Sequence, residues 1–184
     1  MKRRDFFKGS SALIGASLLS PTAILAQEHE HIELQDGQAK NIIFMVSDGM
    51  SAGTLNMADM LLRRKEGRAS NWISLYEQNR VKRAFMDTAS ASSLITDSAA
   101  ASSSWGGGKR VNNGSLNTNA DGSENTPIWM KFKAAGKSAG CVTTVPITHA
   151  TPAGFCVSSK GRSDQAGIAL KYLSSGFDVL LGGG

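Results

Sequence analysis

The sequence predicts an α/β protein with a mainly parallel sheet that is covered by helices on both faces. Short apolar runs alternate with segments of helical spacing along the 184 residues, which is typical of such folds. The 20 glycines suit many tight turns between strands and helices, and only 4 prolines interrupt the pattern. A hydrophobic content of 41% with 19% charged residues is ordinary for a folded domain, and the length suggests one domain or a piece of one.

The N-terminal 26 residues predict an export signal. A basic start is followed by a moderately apolar stretch and by a small residue, Ala26. The pair Arg3-Arg4 before two phenylalanines is typical of a twin-arginine signal, which would make the twin-arginine export machinery a partner. We therefore expect a periplasmic or extracellular protein, with a polar lead-in over residues 27–40. An ordinary secretory signal and a retained anchor stay open as alternatives.

The net charge carries little information about partners. Four basic residues of the first 26 oppose a single acid, so about +2 of the formal +5 remains for the rest of the chain. This balance is too weak to indicate nucleic-acid binding, and none is expected.

Two cysteines, Cys141 and Cys156, leave two interpretations open. An exported protein reaches an oxidising compartment, where the two could form a disulfide. Cys141 lies in an apolar, strand-like run, so two buried free thiols are an equally good interpretation.

The elements behind the fold class follow each other in a regular order. Apolar runs predict strands at 41–47, 81–87, 138–145 and 178–184. Helical spacing and capping residues predict helices at 54–66, 70–79, from near Ser98, at 126–136 and at 163–175. Ligands of open α/β sheets bind at the carboxyl ends of strands, so residues after the apolar runs are the candidates for a site.

Asp48 and Ser98 are the first two candidates. Asp48 directly follows the apolar run 41–47, where a carboxylate could bind a cation, although a capping or turn aspartate is the commoner use of this position. Ser98 falls in the first turn of a helix, where backbone N–H groups and the helix dipole stabilise negative charge. The alternative is that Asp97 or Thr96 merely caps the helix and Ser98 has no role.

The remaining candidates are weaker when each is taken alone. Arg162 suits bidentate contact with phosphate, although a single arginine is more often a solvated surface charge. His149 and Thr151 are unremarkable singly. His29 and His31 could mimic a metal-binding pair, but they lie in the polar lead-in.

Five segments in this order resemble the alkaline phosphatase family. They are NIIFMVSDGM (41–50), ITDSAAASSSW (95–105), GKRVNNG (108–114), HATPAGF (149–155) with Arg162 downstream, and DVLLGGG (178–184). Each segment alone is weak, but the ordered set covers nearly all of the chain after the signal. The resemblance implies an alkaline-phosphatase-like three-layer α/β/α sandwich, of which residues 41–184 form the N-terminal part.

The resemblance also assigns roles to the candidate residues. Ser98 resembles the nucleophile that is transiently phosphorylated, and Asp48 resembles the carboxylate that bridges a catalytic zinc and the nearby magnesium. Thr151 resembles a magnesium ligand, and His149 stands at or beside that third metal. The family uses two Zn²⁺ ions and one Mg²⁺ ion.

Substrate binding follows from the same resemblance. Arg162 resembles the arginine that clamps the phosphate of a phosphate monoester, and Asp97 resembles the neighbour that orients this arginine. A homodimer is a further expectation from the family alone. Ser51 departs from the pattern, because the family often has glycine there.

The ligand set is incomplete within the 184 residues. The other magnesium carboxylate and nearly all zinc ligands of the family lie further along the chain, and Asp48, Ser98 and Thr151 cannot fill a two-zinc site. We therefore expect an N-terminal fragment that is inactive by itself. One alternative is a related phosphodiesterase or sulfatase. Another is an exported phosphate- or anion-binding module that binds through Arg162 without turnover.

Overall fold

The computed structural model describes residues 39–183. Contacts divide the chain into two units, Met1–Met45 and Val46–Gly184. Within the first unit, the described residues 39–45 form no helix or strand and are exposed; Ile43, for example, is 85% exposed. The predicted export signal, most of the lead-in and both of its histidines lie outside the described residues. The second unit holds every helix and strand described below.

Six helices occur in the described part of the second unit, and most begin at a polar cap. They are α1 (Ala52–Glu66), α2 (Asn71–Glu77), α3 (Ser98–Gly107), α4 (Ile128–Ala134), α5 (Ala150–Cys156) and α6 (Gln165–Ser175). Ser51, Ser70, Asp97 and Asp164 each accept a backbone N–H from the first turn of the helix that follows, which satisfies a donor with no partner inside the helix. None of the helices described here has the length and apolar character needed to cross a bilayer.

Two parallel strands form the sheet of the described chain. Strand β1 (Gly140–Pro146) pairs with β2 (Val179–Gly183), with Cys141 opposite Leu180 and an irregularity between Val142 and Pro146. The connection between the strands contains α5 and α6, as a parallel crossover requires. Half-buried and exposed residues alternate along β1, and Val142 is 71% exposed. The described sheet is therefore a small, incomplete part of the predicted architecture, while the α/β class and the parallel pairing are confirmed.

Two predicted strands are absent from the described residues. The runs 41–47 and 81–87 have no regular secondary structure, and their side chains are mostly exposed. A strand needs a neighbour to receive its backbone hydrogen bonds, and β1 and β2 pair only with each other. Both predictions were therefore wrong for the described chain, although each run has the apolar composition of a strand.

The core lies where α3 packs against α5. Ala99, Ala150, Ala153 and Cys156 are buried there, beside larger residues that lie outside the two helices (Leu116, Trp129, Val157, Ile168 and Tyr172). Ser102 Oγ donates to the carbonyl of Ala150 at 2.9 Å, so the two helices are also joined by a buried hydrogen bond. Helix α3, whose sequence SAAASSSWGG has the small-residue composition of a flexible linker, is thus a closely packed helix.

Both cysteines lie in or beside this core. Cys156 is buried and Cys141 is half-buried, and both are free thiols in the structure. The indole of Trp129 donates to the carbonyl of Cys156, and the ring stacks on Phe177 with 4.3 Å between the centroids. This end of α5 is therefore held by Trp129 of α4, which in turn packs against Phe177, just before β2.

Candidate active site

Asp48 brings three distant segments together. It lies in a four-residue turn in which Met50 N donates to Ser47 O at 3.3 Å, and Gly49 adopts a φ of 70°, a conformation that glycine takes without strain. Asp48 Oδ2 accepts the hydroxyl of Ser98 at 2.9 Å and the hydroxyl of Thr151 at 2.8 Å. The structure therefore places three predicted site residues within hydrogen-bond distance of one carboxylate oxygen.

Ser98 is the first residue of α3, as its sequence context predicts. Asp97 caps this helix, because its Oδ1 accepts Ala100 N at 2.9 Å. The first N–H groups of a helix have no acceptor within the helix, and they carry the positive end of its dipole. Negative charge on or near Ser98 Oγ is therefore favoured, and the capping role of Asp97 does not exclude a role for Ser98.

Asp97 also holds Arg162. Arg162 Nη1 donates to Asp97 Oδ2 at 3.1 Å, and the two side chains are only 32% and 27% exposed. The same oxygen accepts Gly114 N at 3.0 Å. Partial burial raises the pKa of Asp97, but the hydrogen bonds from Ala100, Arg162 and Gly114 outweigh it and lower the pKa below the usual 3.8. Asp97 is therefore a charged anchor that orients the guanidinium.

His149 and Thr151 occupy the start of α5. His149 is the residue before the helix, and its N–H donates to Pro146 O at 2.8 Å at the end of β1. Its Nδ1 atom is buried and has no hydrogen-bond partner among the described residues. A buried nitrogen without a partner is costly in a finished fold, so this atom needs a further partner. The sequence did not predict α5, and the structure shows that it presents Thr151 to Asp48.

These residues fit only part of a metal site. Asp48 and Thr151 supply the oxygen donors that magnesium prefers, and His149 Nδ1 lies at the start of the same helix as Thr151. Nowhere in residues 39–183 do three His, Cys, Asp or Glu side chains come together as a metal-binding group. The donor set is therefore compatible with a share in one magnesium site and does not fit a complete two-zinc site.

The sequence analysis named the segment 108–114 but assigned no role to Asn113 or Gly114, which connect the two halves of the site. Gly114 N donates to Asp97, and Gly114 O accepts Arg162 N at 2.7 Å. Asn113, the preceding residue, accepts Asp97 N at 3.1 Å and donates to Ile95 O at 2.9 Å. The dipeptide Asn-Gly is a recognisable turn signal, but the pattern alone does not indicate which segments the turn contacts.

Comparison with known proteins identifies the family. The model of the alkaline phosphatase family matches residues 39–184. The chain belongs to the alkaline phosphatase family. The resemblance seen in the five sequence segments is therefore confirmed.

Individual alkaline phosphatases match over only part of their length. Alkaline phosphatase 3 of Bacillus subtilis is 29% identical over 180 residues, which is 95% of this chain and 39% of that protein. The alkaline phosphatase of Schizosaccharomyces pombe is 33% identical over 79% of this chain and 28% of its own length. The chain therefore spans about two fifths or less of these relatives.

Solved alkaline phosphatases share the fold. The structure from Thermus thermophilus has a TM-score of 0.70 at 38% identity, covering 74% of this chain and 28% of that one. The cold-active enzyme of a Shewanella species has a TM-score of 0.67 at 28% identity, covering 76% and 35%. A variant of the TAB5 enzyme with bound magnesium is 22% identical with a TM-score of 0.59, which supports the fold alone. Members of this family generally use zinc and magnesium.

Proposed function

We propose that the protein hydrolyses phosphate monoesters through a phosphoserine intermediate on Ser98. The observation that carries the proposal is the position of the Ser98 hydroxyl. Ser98 is the first residue of the mostly buried helix α3 and directly follows Asp97, which anchors Arg162. Its hydroxyl lies 2.9 Å from Asp48 Oδ2. A nucleophile, an acceptor for its proton and a phosphate-binding cation are therefore adjacent.

The side chains of this chain divide the work of phosphoryl transfer. Arg162 and the first N–H groups of α3 bind the phosphate oxygens, and Asp97 keeps the guanidinium in place. Ser98 Oγ, whose proton is held at Asp48 Oδ2, forms a bond to phosphorus while the ester oxygen departs on the opposite side. Water then attacks the phosphoserine and returns Ser98 to its starting form, releasing inorganic phosphate.

The metals of the family fit beside these residues only in part. Asp48, Thr151 and His149 would contribute to holding magnesium, and Asp48 would also face a zinc ion. When bound, the metals supply positive charge that favours the ionised serine and the departing oxygen. The described residues lack the other ligands of such a centre, so we propose that the 184-residue chain is inactive by itself.

Export and assembly remain part of the proposal. The twin-arginine pattern of residues 1–26 supports a periplasmic or extracellular location. Homodimer formation rests on the family alone.

The proposal is tested in the protein expressed from its complete reading frame, with zinc and magnesium and p-nitrophenyl phosphate as substrate. Ser98→Ala should lower kcat/KM by roughly 10³-fold or more, because removal of a nucleophile abolishes the covalent route. Ser104→Ala is the matched control: it lies on the same helix, and its hydroxyl donates only to Ala100 O at 3.1 Å. This variant should retain activity.

A second candidate function is binding of phosphate without turnover, which the Asp97–Arg162 pair favours because it needs no metal. Phosphate binding that depends on Arg162, together with absence of Ser98-dependent hydrolysis, would support this function and contradict the enzyme.

A further inference from the structure

We infer that Asn113 is a positioning residue that holds the turn before Ser98 in its working geometry. The inference rests on the proposed function of Ser98 as a nucleophile. Asn113 lies fifteen residues after Ser98 in sequence and contacts the turn through its side chain. Within the described residues its side chain makes no hydrogen bond to the side chain of Ser98 or Asp48, so it would act through the turn.

The amide of Asn113 binds the turn at two points. Its Oδ1 accepts Asp97 N at 3.1 Å, and its Nδ2 donates to Ile95 O at 2.9 Å. One planar amide thus accepts a hydrogen bond from one backbone position and donates one to another, as the backbone of a neighbouring strand would. This arrangement fixes the direction in which the chain enters α3, and Ser98 is the next residue after Asp97.

The next residue, Gly114, contacts the phosphate-binding pair Asp97 and Arg162. Gly114 N donates to Asp97 Oδ2, and Gly114 O accepts Arg162 N. The dipeptide Asn113-Gly114 therefore bonds to the backbone before the nucleophile, to its capping carboxylate and to the backbone of the arginine. Of these contacts, only the two to Ile95 and Asp97 depend on the Asn113 side chain.

The turn has little other support on its outer side. Ile95 is 82% exposed and Leu94 is 93% exposed, so these two side chains contribute little apolar packing to the turn, and Ile95 N donates only locally, to Ser93 Oγ at 3.1 Å. Thr96 Oγ1 donates only to the adjacent carbonyl of Asp97, at 3.1 Å. The asparagine side chain is thus a tertiary contact that fixes this segment, and its loss should let the nucleophile move.

The position of Asn113 predicts a kinetic signature that differs from a loss of stability. In the complete protein, Asn113→Ala should lower kcat by about 10- to 100-fold, because small displacements of a reacting group cost rates of this order. KM and the inhibition constant of inorganic phosphate should change by less than about 3-fold, since Arg162 and Gly114 stay in place. Asn112→Ala is the matched control, an adjacent asparagine whose side chain makes no hydrogen bond to the turn within the described part of the chain.

The test combines steady-state kinetics with hydrogen exchange of the Asp97 amide and thermal unfolding. The inference is supported if Asn113→Ala has a lower kcat and faster exchange of the Asp97 amide, while its unfolding temperature equals that of Asn112→Ala. Kinetics and exchange equal to those of Asn112→Ala overturn it, as does a loss of activity that only parallels a loss of folded protein.

Failure of the proposed function would be visible separately. If the unsubstituted protein shows no Ser98-dependent hydrolysis, the enzyme proposal fails and Asn113 has no nucleophile to position. Both results are then read in one experiment, because the Ser98→Ala protein is assayed beside the two asparagine variants.

Discussion

Substitution of Gly106 by alanine tests whether direct backbone contact between α3 and α5 organises the site. A Cβ atom on Gly106 would lie 2.1 Å from Gly154 O, 2.7 Å from Gly154 C and 2.7 Å from Phe155 Cα. All three are backbone atoms, so no side-chain rotation can relieve the overlap. The helices must separate or shift along each other.

The expected cost exceeds the gain in helix propensity. Replacing a helical glycine by alanine stabilises a helix by roughly 0.5–1 kcal/mol. Overpacking in a closely packed interior costs about 1–3 kcal/mol. Since the overlap involves only backbone atoms, the cost lies near the upper end of this range and the net loss for Gly106→Ala is about 2 kcal/mol, which corresponds to about 4–8 °C in Tm for a domain of about 150–250 residues and to less in a larger protein.

Gly53→Ala is the matched control. Gly53 also lies in a helix, but a Cβ there would meet only Ser51 Oγ at 3.5 Å, an ordinary contact. This variant should be as stable as the unsubstituted protein or up to about 1 kcal/mol more stable. Both variants are compared by denaturant and thermal unfolding of the complete protein.

Activity provides the second measurement. Ser98 and Thr151 bind the same oxygen of Asp48 from α3 and α5, so a displacement between the helices must alter this site. We expect Gly106→Ala to lower both kcat and Tm. Gly53→Ala should lower neither. If Gly106→Ala unfolds at or above the temperature of the unsubstituted protein with unchanged kcat, the inferred contact does not define the site.

Two further predictions concern capping and pH. Ser51→Ala should destabilise the protein by about 1 kcal/mol, because Ser51 Oγ accepts Thr54 N at 3.2 Å at the start of α1; unfolding in urea measures the loss, and an unchanged midpoint would rule out a stabilising cap. Asp97 has a lowered pKa in the folded state, so its stabilising contribution is present above the ordinary value of 3.8 and is lost as the pH falls through the lower folded value. The free energy of unfolding should therefore depend less steeply on pH in this acidic range for Asp97→Asn than for the unsubstituted protein, and equal slopes in acid titrations would contradict the assignment.

The helices were predictable where the signal is local. Asp97 and Asp164 precede α3 and α6, and each accepts an N–H of the first turn, as a capping residue is expected to do. The apolar run of β1 was also recognisable locally, although this run forms a strand only because β2 pairs with it. These predictions rest on backbone preferences that neighbouring residues decide.

Helix α5 was not predictable from its composition. Its sequence, ATPAGFC, contains both Pro152 and Gly154, which weaken an isolated helix. Pro152 lies in the first turn, where proline is tolerated, and the glycine permits contact with Ser102 of α3. Tertiary packing therefore stabilises a helix that local propensity disfavours.

The prediction of a strand at 41–47 was wrong because a strand also needs a partner. Its composition favours a buried strand, but strand formation depends on a partner, and composition does not state where a partner lies. Asp48 nevertheless lies within hydrogen-bond distance of Ser98, in a turn at Asp48-Gly49 that forms although no strand precedes it. The contact of Asp48 with Thr151 joins residues 103 positions apart, which only the family resemblance suggested.

The small residues of α3 connect the packing of the core with the geometry of the site. A helix with large side chains would contact α5 through flexible groups, whose rotamers adjust by fractions of an ångström. Here Gly106 meets the Gly154 carbonyl directly, so the helix separation is set by backbone van der Waals contact. Ser98 and Thr151 lie in the first turns of the two helices, so the distance between them depends on this contact. The small residues of α3 therefore keep the distance between the two helices fixed, which lets Ser98 and Thr151 both donate to Asp48 Oδ2.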